Sequence, residues 1–410
     1  MSKHRSPVAV LLGTVVFSLF IFSSGTLELF KDGGARDQGV INRVEYHGIL
    51  NYVSSGWCLL AAGSLLLFAY SRGRINISRG KIPLALSLFA ALSCLWSPDI
   101  IAAMKSAVLV MLGTFAIIIL CTEKDSESAL RFLAYALIPL VAGSAFAILF
   151  MPSYGISVGT HDGAWQGLLD HKNGLGSYCA LSLCIFLGWR TAGGPLWLYV
   201  PAAACLVLTI GSQSMTSSVA AVLVLLVHFF GSSSLTRASL ARSAPMIMSI
   251  AAAIPIMITA IPVFGGGFEI AGKGALFSGR GYIWSYLLEG VFKNPLLGNG
   301  FNAYKNSVYS GSNDGAIFAA IGFLPGSAHN GFLESAHSMG LIGLALSMAL
   351  IVAPVIYARR SPYFLLTFYV SICALVINTF ESRLVAFNSF FFVLCYIFCL
   401  ASRQRSDKYE

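Results

Sequence analysis

The stretch "HSMGLIGLALSMALIVAPVIYA", His337 to Ala358, contains no Asp, Glu, Lys or Arg. A helix needs roughly 20 mostly apolar residues to cross the ~30 Å hydrocarbon core of a bilayer, because lipid offers no partner to an unpaired backbone group. This stretch meets that requirement, and comparable runs recur along the whole chain. Of 410 residues, 57% are hydrophobic and 10% charged, with a mean hydropathy of +0.77. Soluble domains do not carry that balance. The sequence predicts an all-α polytopic integral membrane protein, one membrane domain over residues 1–410. About twelve spans satisfy the length rule. They fall near 8–26, 48–70, 82–97, 101–121, 130–151, 174–190, 195–211, 217–231, 244–265, 337–358, 362–379 and 385–402.

Lys and Arg are retained on the cytoplasmic side during insertion, which tests this map independently. With the N-terminus inside, the short inner segments hold Lys3, Arg5, Arg72, Arg74, Arg79, Lys81, Lys124, Arg131, Arg190, Arg237, Arg242, Arg359, Arg360, Arg403, Arg405 and Lys408, 16 of the 26 basic residues. Both termini are then cytoplasmic. The net charge of +9 reports orientation and contact with the anionic lipid bilayer, and no nucleic-acid partner is expected. All nine cysteines (Cys58, Cys94, Cys121, Cys179, Cys184, Cys205, Cys373, Cys395, Cys399) fall in or at the ends of spans, as small hydrophobes do, and not in loops where a disulfide framework or zinc site would place them.

Two outer connections stand out, 152–173 and 266–336, the second of roughly 70 residues in a chain of tight turns and so expected to carry function or structure of its own. Within it Tyr282, Ile283, Tyr286, Leu287, Gly290 and Val291 recur at helical spacing before "NPLLGNG" stops the run. This predicts an amphipathic helix near 281–292 lying on the membrane surface, a lid hinged at "GNG".

Basic residues on the outer face run against the positive-inside trend: Lys172, Lys273, Arg280, Lys293, Lys305 and Arg383, with Lys105 a turn inside the fourth span. An outward lysine is most simply solvated, and Lys105 and Arg383 have snorkelling as their plain explanation. Taken together, Arg280, Lys172, Arg383 and Lys105 suit a cationic pocket for phosphate or pyrophosphate, since guanidinium groups pair bidentately with phosphate oxygens. His329, Leu333, Ala336, Gly340 and Gly343 fall at i, i+4, i+7, i+11 and i+14, one stripe of a helix with two glycines for close packing. His329 then sits at its mouth, where imidazole accepts a proton near neutral pH and Asn330 holds a hydroxyl or orients the ring. A hydrogen-bonded histidine at a helix start is the simpler reading of spacing alone, and it applies more strongly to His161, His171, His337 and Glu334.

The stretch "HNGFLESAHSMGLIG", 329–343, resembles the signature of the bacterial O-antigen ligase and polysaccharide polymerase superfamily, with its His-Asn, following Leu and two spaced glycines. "RGYIWSYLLEGVFKNPLLGNGF" (280–301) resembles that family's Arg, Ile-Trp, Asn-Pro and Gly-x-Gly-Phe block. "HKNGLG" (171–176) is similar to its Lys/Arg-Asn element, "GSQSMTS" (211–217) to its Ser-x-Ser-x-Thr element and "LWSPD" (95–99) to its Trp-Ser element, all in the same order. The form of these elements looks most like the exopolysaccharide polymerase branch.

The resemblance implies a glycosyltransferase of the bacterial inner membrane, acting at its periplasmic face on an undecaprenyl-pyrophosphate-linked glycan donor. The acceptor is a growing glycan in a polymerase or lipid A core in a ligase, and a chain-length regulator is an expected further partner. It implies Arg280 and Lys172 as stabilisers of the departing pyrophosphate, His329 as base on the acceptor hydroxyl, and Asn173 and Asn330 as orienters; Arg383 and Lys105 join them by position. The outer loops carry no Asp-x-Asp cluster, so neither metal nor cofactor is expected. Polymerase and ligase share a donor and are not separable by sequence. A transporter or flippase would show repeated halves and charged or broken spans near the midplane, and no convincing repeat is present.

Overall fold

The structure is a computed structural model; it describes Gly63 and residues 77–123, 126–159, 161–169, 171–231, 233–260, 280–305, 327–384 and 388–406. The predicted span near 8–26 and, apart from Gly63, that near 48–70, with Cys58, Lys3, Arg5, Arg72, Arg74, Lys124, Lys273, Lys408 and loop segments 266–279 and 306–326, lie outside it, as do the side chains of Tyr282, Arg403 and Arg405. In chain order the helices are α1 (Lys81–Ser93), α2 (Ile100–Glu123), α3 (Ser126–Phe150), α4 (Lys172–Thr191), α5 (Tyr199–Gly211), α6 (Met215–Gly231), α7 (Ser234–Ala260), α8 (Arg280–Lys293), α9 (Gly331–Ala358), α10 (Phe364–Phe380) and α11 (Ser389–Ser406). The fold is all-helical, with no strand among the described residues and one isolated bridge, Ile156 with Trp165.

Among the described residues, five segments are long and apolar enough to cross a membrane: Ile77–Trp96, Ile100–Thr122, Ser126–Phe150, Ser234–Thr259 and Gly331–Ala358. Four shorter apolar helices accompany them, Leu196–Gly211, Met215–Gly231, Phe364–Phe380 and Phe390–Ser402. The expectation of about twelve full spans is therefore met only in part: the 13 residues of α5 rise about 20 Å, short of the ~30 Å hydrocarbon core. Large apolar side chains remain exposed on the outer surface, including Phe146 and Leu149 of α3, Phe229 and Phe230 of α6, and Met246, Ile250 and Met257 of α7. A surface of that kind is compatible with a multi-pass membrane protein, whose solvent is lipid.

The centre is built from α9 and α10. The first packs against α1, α7, α8, α10 and α11, the second also against α4, α6 and α7. Residues 174–189 of α4 are buried on every face. Its glycines let neighbours in: a Cβ at Gly188 would meet Leu366 of α10, and one at Gly176 would meet the side chains of Ser212, Ser214 and Ser217. At one end of the bundle, Arg79 donates to the Cys121 carbonyl at 3.3 Å, and Arg237 donates to the carbonyls of Ser361 and Pro362 at 3.0 and 2.9 Å. The sequence elements singled out above meet at the opposite end, where α1, α5 and α10 finish and α4, α6 and α9 begin.

Two of the expectations need correction here. His329 and Gly343 do not share one helical stripe, because His329 precedes the helix and Gly340 breaks it with φ 62° and ψ −165°. That backbone region is open essentially to glycine alone. The break releases the carbonyls of His337 and Ser338, which accept from the Asn299 and Gly300 N–H groups, each at 2.9 Å. It also releases the Leu341 and Ile342 N–H groups, which donate to the carbonyls of Pro295 and Leu296. Backbone 295–300 is thus wedged into α9, and a Cβ on Gly340 would run into the Leu296 carbonyl. Second, "GNG" is no free hinge: Gly298 lies against Gly340, Gly300 against Ser97, and Ser97 Oγ donates to the Phe301 carbonyl at 3.0 Å.

Gly340→Ala should destabilise the fold by about 1–3 kcal/mol from backbone strain alone. Thermal unfolding of the detergent-solubilised variant measures this, and a wild-type melting curve would show that the break is dispensable.

Candidate functional site

The site end is organised around a residue absent from the sequence expectations, Glu381, the first residue past α10. Its side chain is buried. Oε1 accepts from Asn173 Nδ2 at 2.8 Å, and the same oxygen stands 3.9 Å from an Arg280 guanidinium nitrogen. Oε2 lies 3.7 Å from His329 Nδ1, an ion-pair distance longer than a hydrogen bond. The backbone carbonyl of Glu381 accepts from the Gly331 N–H at 3.0 Å. One buried carboxylate therefore gathers the "HKNGLG", "RGYIW" and "HNGFLE" elements.

Each partner is aimed by local structure. His171 caps α4, its Nδ1 accepting from the Asn173 N–H at 3.1 Å, so the Lys-Asn element forms the first turn of a helix and not part of the 152–173 loop. Asn330 caps α9, its Oδ1 accepting from the Leu333 N–H at 3.0 Å; this commits the oxygen to structure. His329, just before the cap, adopts φ 51°, and its N–H donates to Ser327 Oγ at 3.1 Å. Arg280 opens α8, whose next turn brings Trp284 onto the same face. Trp284 Nε1 donates to the Ala328 carbonyl at 2.9 Å, adjacent to His329.

That anchorage corrects the expected surface helix. The apolar face of α8 does not lie on the membrane: Ile283, Trp284 and Leu287 are buried in a cluster with Tyr304, Ala328 and Leu333. Periodicity shows that a helix has an apolar face; it does not show what covers it. The exposed end of α8 carries the Lys293–Glu289 pair at 2.7 Å.

Arg383 joins through its charge on Glu381 and through its N–H, which donates to Asn378 Oδ1 at 2.9 Å. Lys172 is the first residue of α4, next to Asn173. Lys105 is exposed on α2, whose helical neighbours are α1, α3 and α11. The structure thus brings together His329, Asn330, Arg280, Asn173 and Arg383, with Lys172 adjoining. The other elements converge nearby: the Trp165 N–H donates to the Gly211 carbonyl at 2.9 Å, and Ser214 and Ser217 share a 3.0 Å hydrogen bond beside Gly176. Among the described residues no three His, Cys, Asp or Glu side chains converge as a metal-ligand set.

Burial works against a charged Glu381, but the His329 contact and the charges of Arg383 and Arg280 outweigh it and hold its carboxyl below the usual range. Burial lowers the pKa of Arg280, and Glu381 opposes that shift. The ensemble is a cationic cluster tied to one carboxylate, at the N-termini of α4, α8 and α9, whose dipoles add positive potential. It is suited to hold an anion beside an imidazole. Compared with protein-family models and with curated proteins, the sequence matches none.

A depressed carboxyl pKa contributes stability above the unfolded value of ~4.3 and loses it as pH falls through the folded value. Near neutral pH, Glu381→Gln should cost about 1.5–3 kcal/mol, the worth of a hydrogen bond to a charged group. The gap between wild type and variant, followed by thermal unfolding, should close below the ordinary carboxylate range. A gap independent of pH would mean that Glu381 has the same pKa folded and unfolded.

Proposed function

We propose that this chain is a metal-independent membrane glycosyltransferase that polymerises undecaprenyl-pyrophosphate-linked glycan units at the periplasmic face of the bacterial inner membrane. The observation that supports it best is the convergence on Glu381 of Asn173, Arg280 and His329, from three elements far apart in sequence. In the reaction an acceptor sugar hydroxyl attacks the anomeric carbon while the lipid pyrophosphate departs. The leaving group is already acidic, so what it requires is stabilisation of its charge in a preorganised site. Arg280, Arg383, Lys172 and the helix N-termini supply that charge. The carboxylate beside His329 Nδ1 favours a proton on that nitrogen and leaves Nε2 to take the proton of the acceptor hydroxyl. Glu381 acts through the others: it orients imidazole and guanidinium without touching substrate.

A base of this kind contributes ~10²- to 10⁴-fold, so His329→Ala at matched membrane expression should abolish product without loss of protein. The measurement follows lipid-linked glycans and the lipid A fraction in cells lacking the chain, complemented with wild type or variant. Accumulation of single repeat units identifies a polymerase. Long undecaprenyl-linked chains beside bare lipid A core would identify a ligase instead, and full restoration by His329→Ala would remove the histidine from the chemistry.

A further inference from the structure

The cap and first turn of α9 hold two buried polar atoms with no hydrogen-bond partner among the described residues, the amide nitrogen Nδ2 of Asn330 and the carboxyl oxygen Oε2 of Glu334. Asn330 is wholly buried, and its Oδ1 is already committed to the Leu333 N–H. The Glu334 N–H donates to the Asn330 carbonyl at 3.0 Å, one helical turn away, and the Asn330 N–H donates to Ser382 Oγ at 3.2 Å. The i, i+4 spacing sets the two side chains on one face, and what the pair leaves over is complementary: one amide donor, one carboxyl oxygen. Buried groups of this kind are paired in folded proteins, so these two atoms are suited to a ligand or water.

The chemistry of the pair defines what fits. The group must accept from an amide N–H and donate to a carboxylate. A fully ionised phosphate or pyrophosphate only accepts, and an ammonium only donates; a hydroxyl does both. Water meets the same requirement between turnovers. The charges divide the site in the same sense. Arg280 and His329 Nδ1 stand 3.9 and 3.7 Å from the Glu381 carboxylate, and the charge of Arg383 acts on it as well. An anion therefore belongs with the arginines and a neutral polyol with Glu334, the histidine between them.

Resting on the glycosyltransferase reading above, we propose that Asn330 Nδ2 and Glu334 Oε2 bind a hydroxyl of the acceptor sugar adjacent to the one that attacks. The attacking oxygen bonds to the anomeric carbon, and the carbon–oxygen bond to pyrophosphate breaks with its electron pair on the leaving group. The hydroxyl proton passes to His329. Asn330 and Glu334 exchange neither protons nor electrons; they fix the acceptor ring.

The test uses the full chain in lipid nanodiscs and, as probe, lipid-linked glycan extracted from cells that lack the chain, with transfer followed by release of lipid pyrophosphate. Asp caps a helix as well as Asn does, so Asn330→Asp keeps the cap and replaces the donor by an acceptor. Glu334→Gln presents an amide in place of the free oxygen. Each single variant should lose at least about tenfold in transfer at limiting substrate, the factor that a hydrogen bond worth 1.4 kcal/mol commands. The double variant exchanges donor and acceptor, still fits a hydroxyl, and should recover to within about threefold of wild type, given that tenfold scale. Single variants with wild-type transfer would overturn the assignment. So would a double variant worse than either single one, the result expected if the pair only braces the loop before α9. Wild-type protein that transfers nothing would overturn the glycosyltransferase reading, and the acceptor site with it.

Discussion

A carboxylate buried at the end of a helix is costly unless charges and donors surround it, and Glu381 dictates its surroundings for that reason. The Asn173 amide, the Arg280 guanidinium and the His329 ring converge because each lowers that cost. To deliver them, α4 must begin, α8 must begin and the chain must turn into α9 at one place. The packing of α9 against α10, with the Gly331 N–H on the Glu381 carbonyl, then fixes the spacing of the whole end of the bundle.

The second constraint is a defect in α9. A helix interrupted at Gly340 exposes two carbonyls and two N–H groups that nothing in an apolar surrounding would satisfy. Backbone 295–300 satisfies them. The cost of the break is offset by a rigid link between the segment that carries Arg280 and the one that carries His329. Contact of Gly300 and Phe301 with Ser97 extends the same link to α1.

Much of the helical architecture was legible because hydrophobic length leaves little choice: a run such as His337–Ala358 has few other ways to pair its backbone. Where legibility failed, the residues concerned were ambiguous in kind. Gly340 in a periodic run reads equally as a small packing residue and as a break, and only its partner loop some forty residues earlier decides. Asn330 before an apolar run carries the ordinary signature of a cap, and the structure uses its oxygen in that way. Glu381 carries no motif of its own beside Arg383, yet "FESRL" sets an acid between two apolar runs, where a lone carboxylate needs partners. Glu334 carries a buried oxygen with no partner among the described residues, which no local pattern encodes.

The contacts that complete the site are also among the most distant in the chain. Asn173 and Glu381 are 208 residues apart, and Ser97 and Phe301 are 204. A polypeptide is made from its N-terminus and its spans are inserted in that order, so the carboxylate that gathers the site emerges after nearly everything it organises. Throughout synthesis Arg280, His329 and the first turn of α4 are made before their common partner. Assembly therefore runs ahead of competence, and a chain stalled before α10 carries the parts of a site that it cannot close.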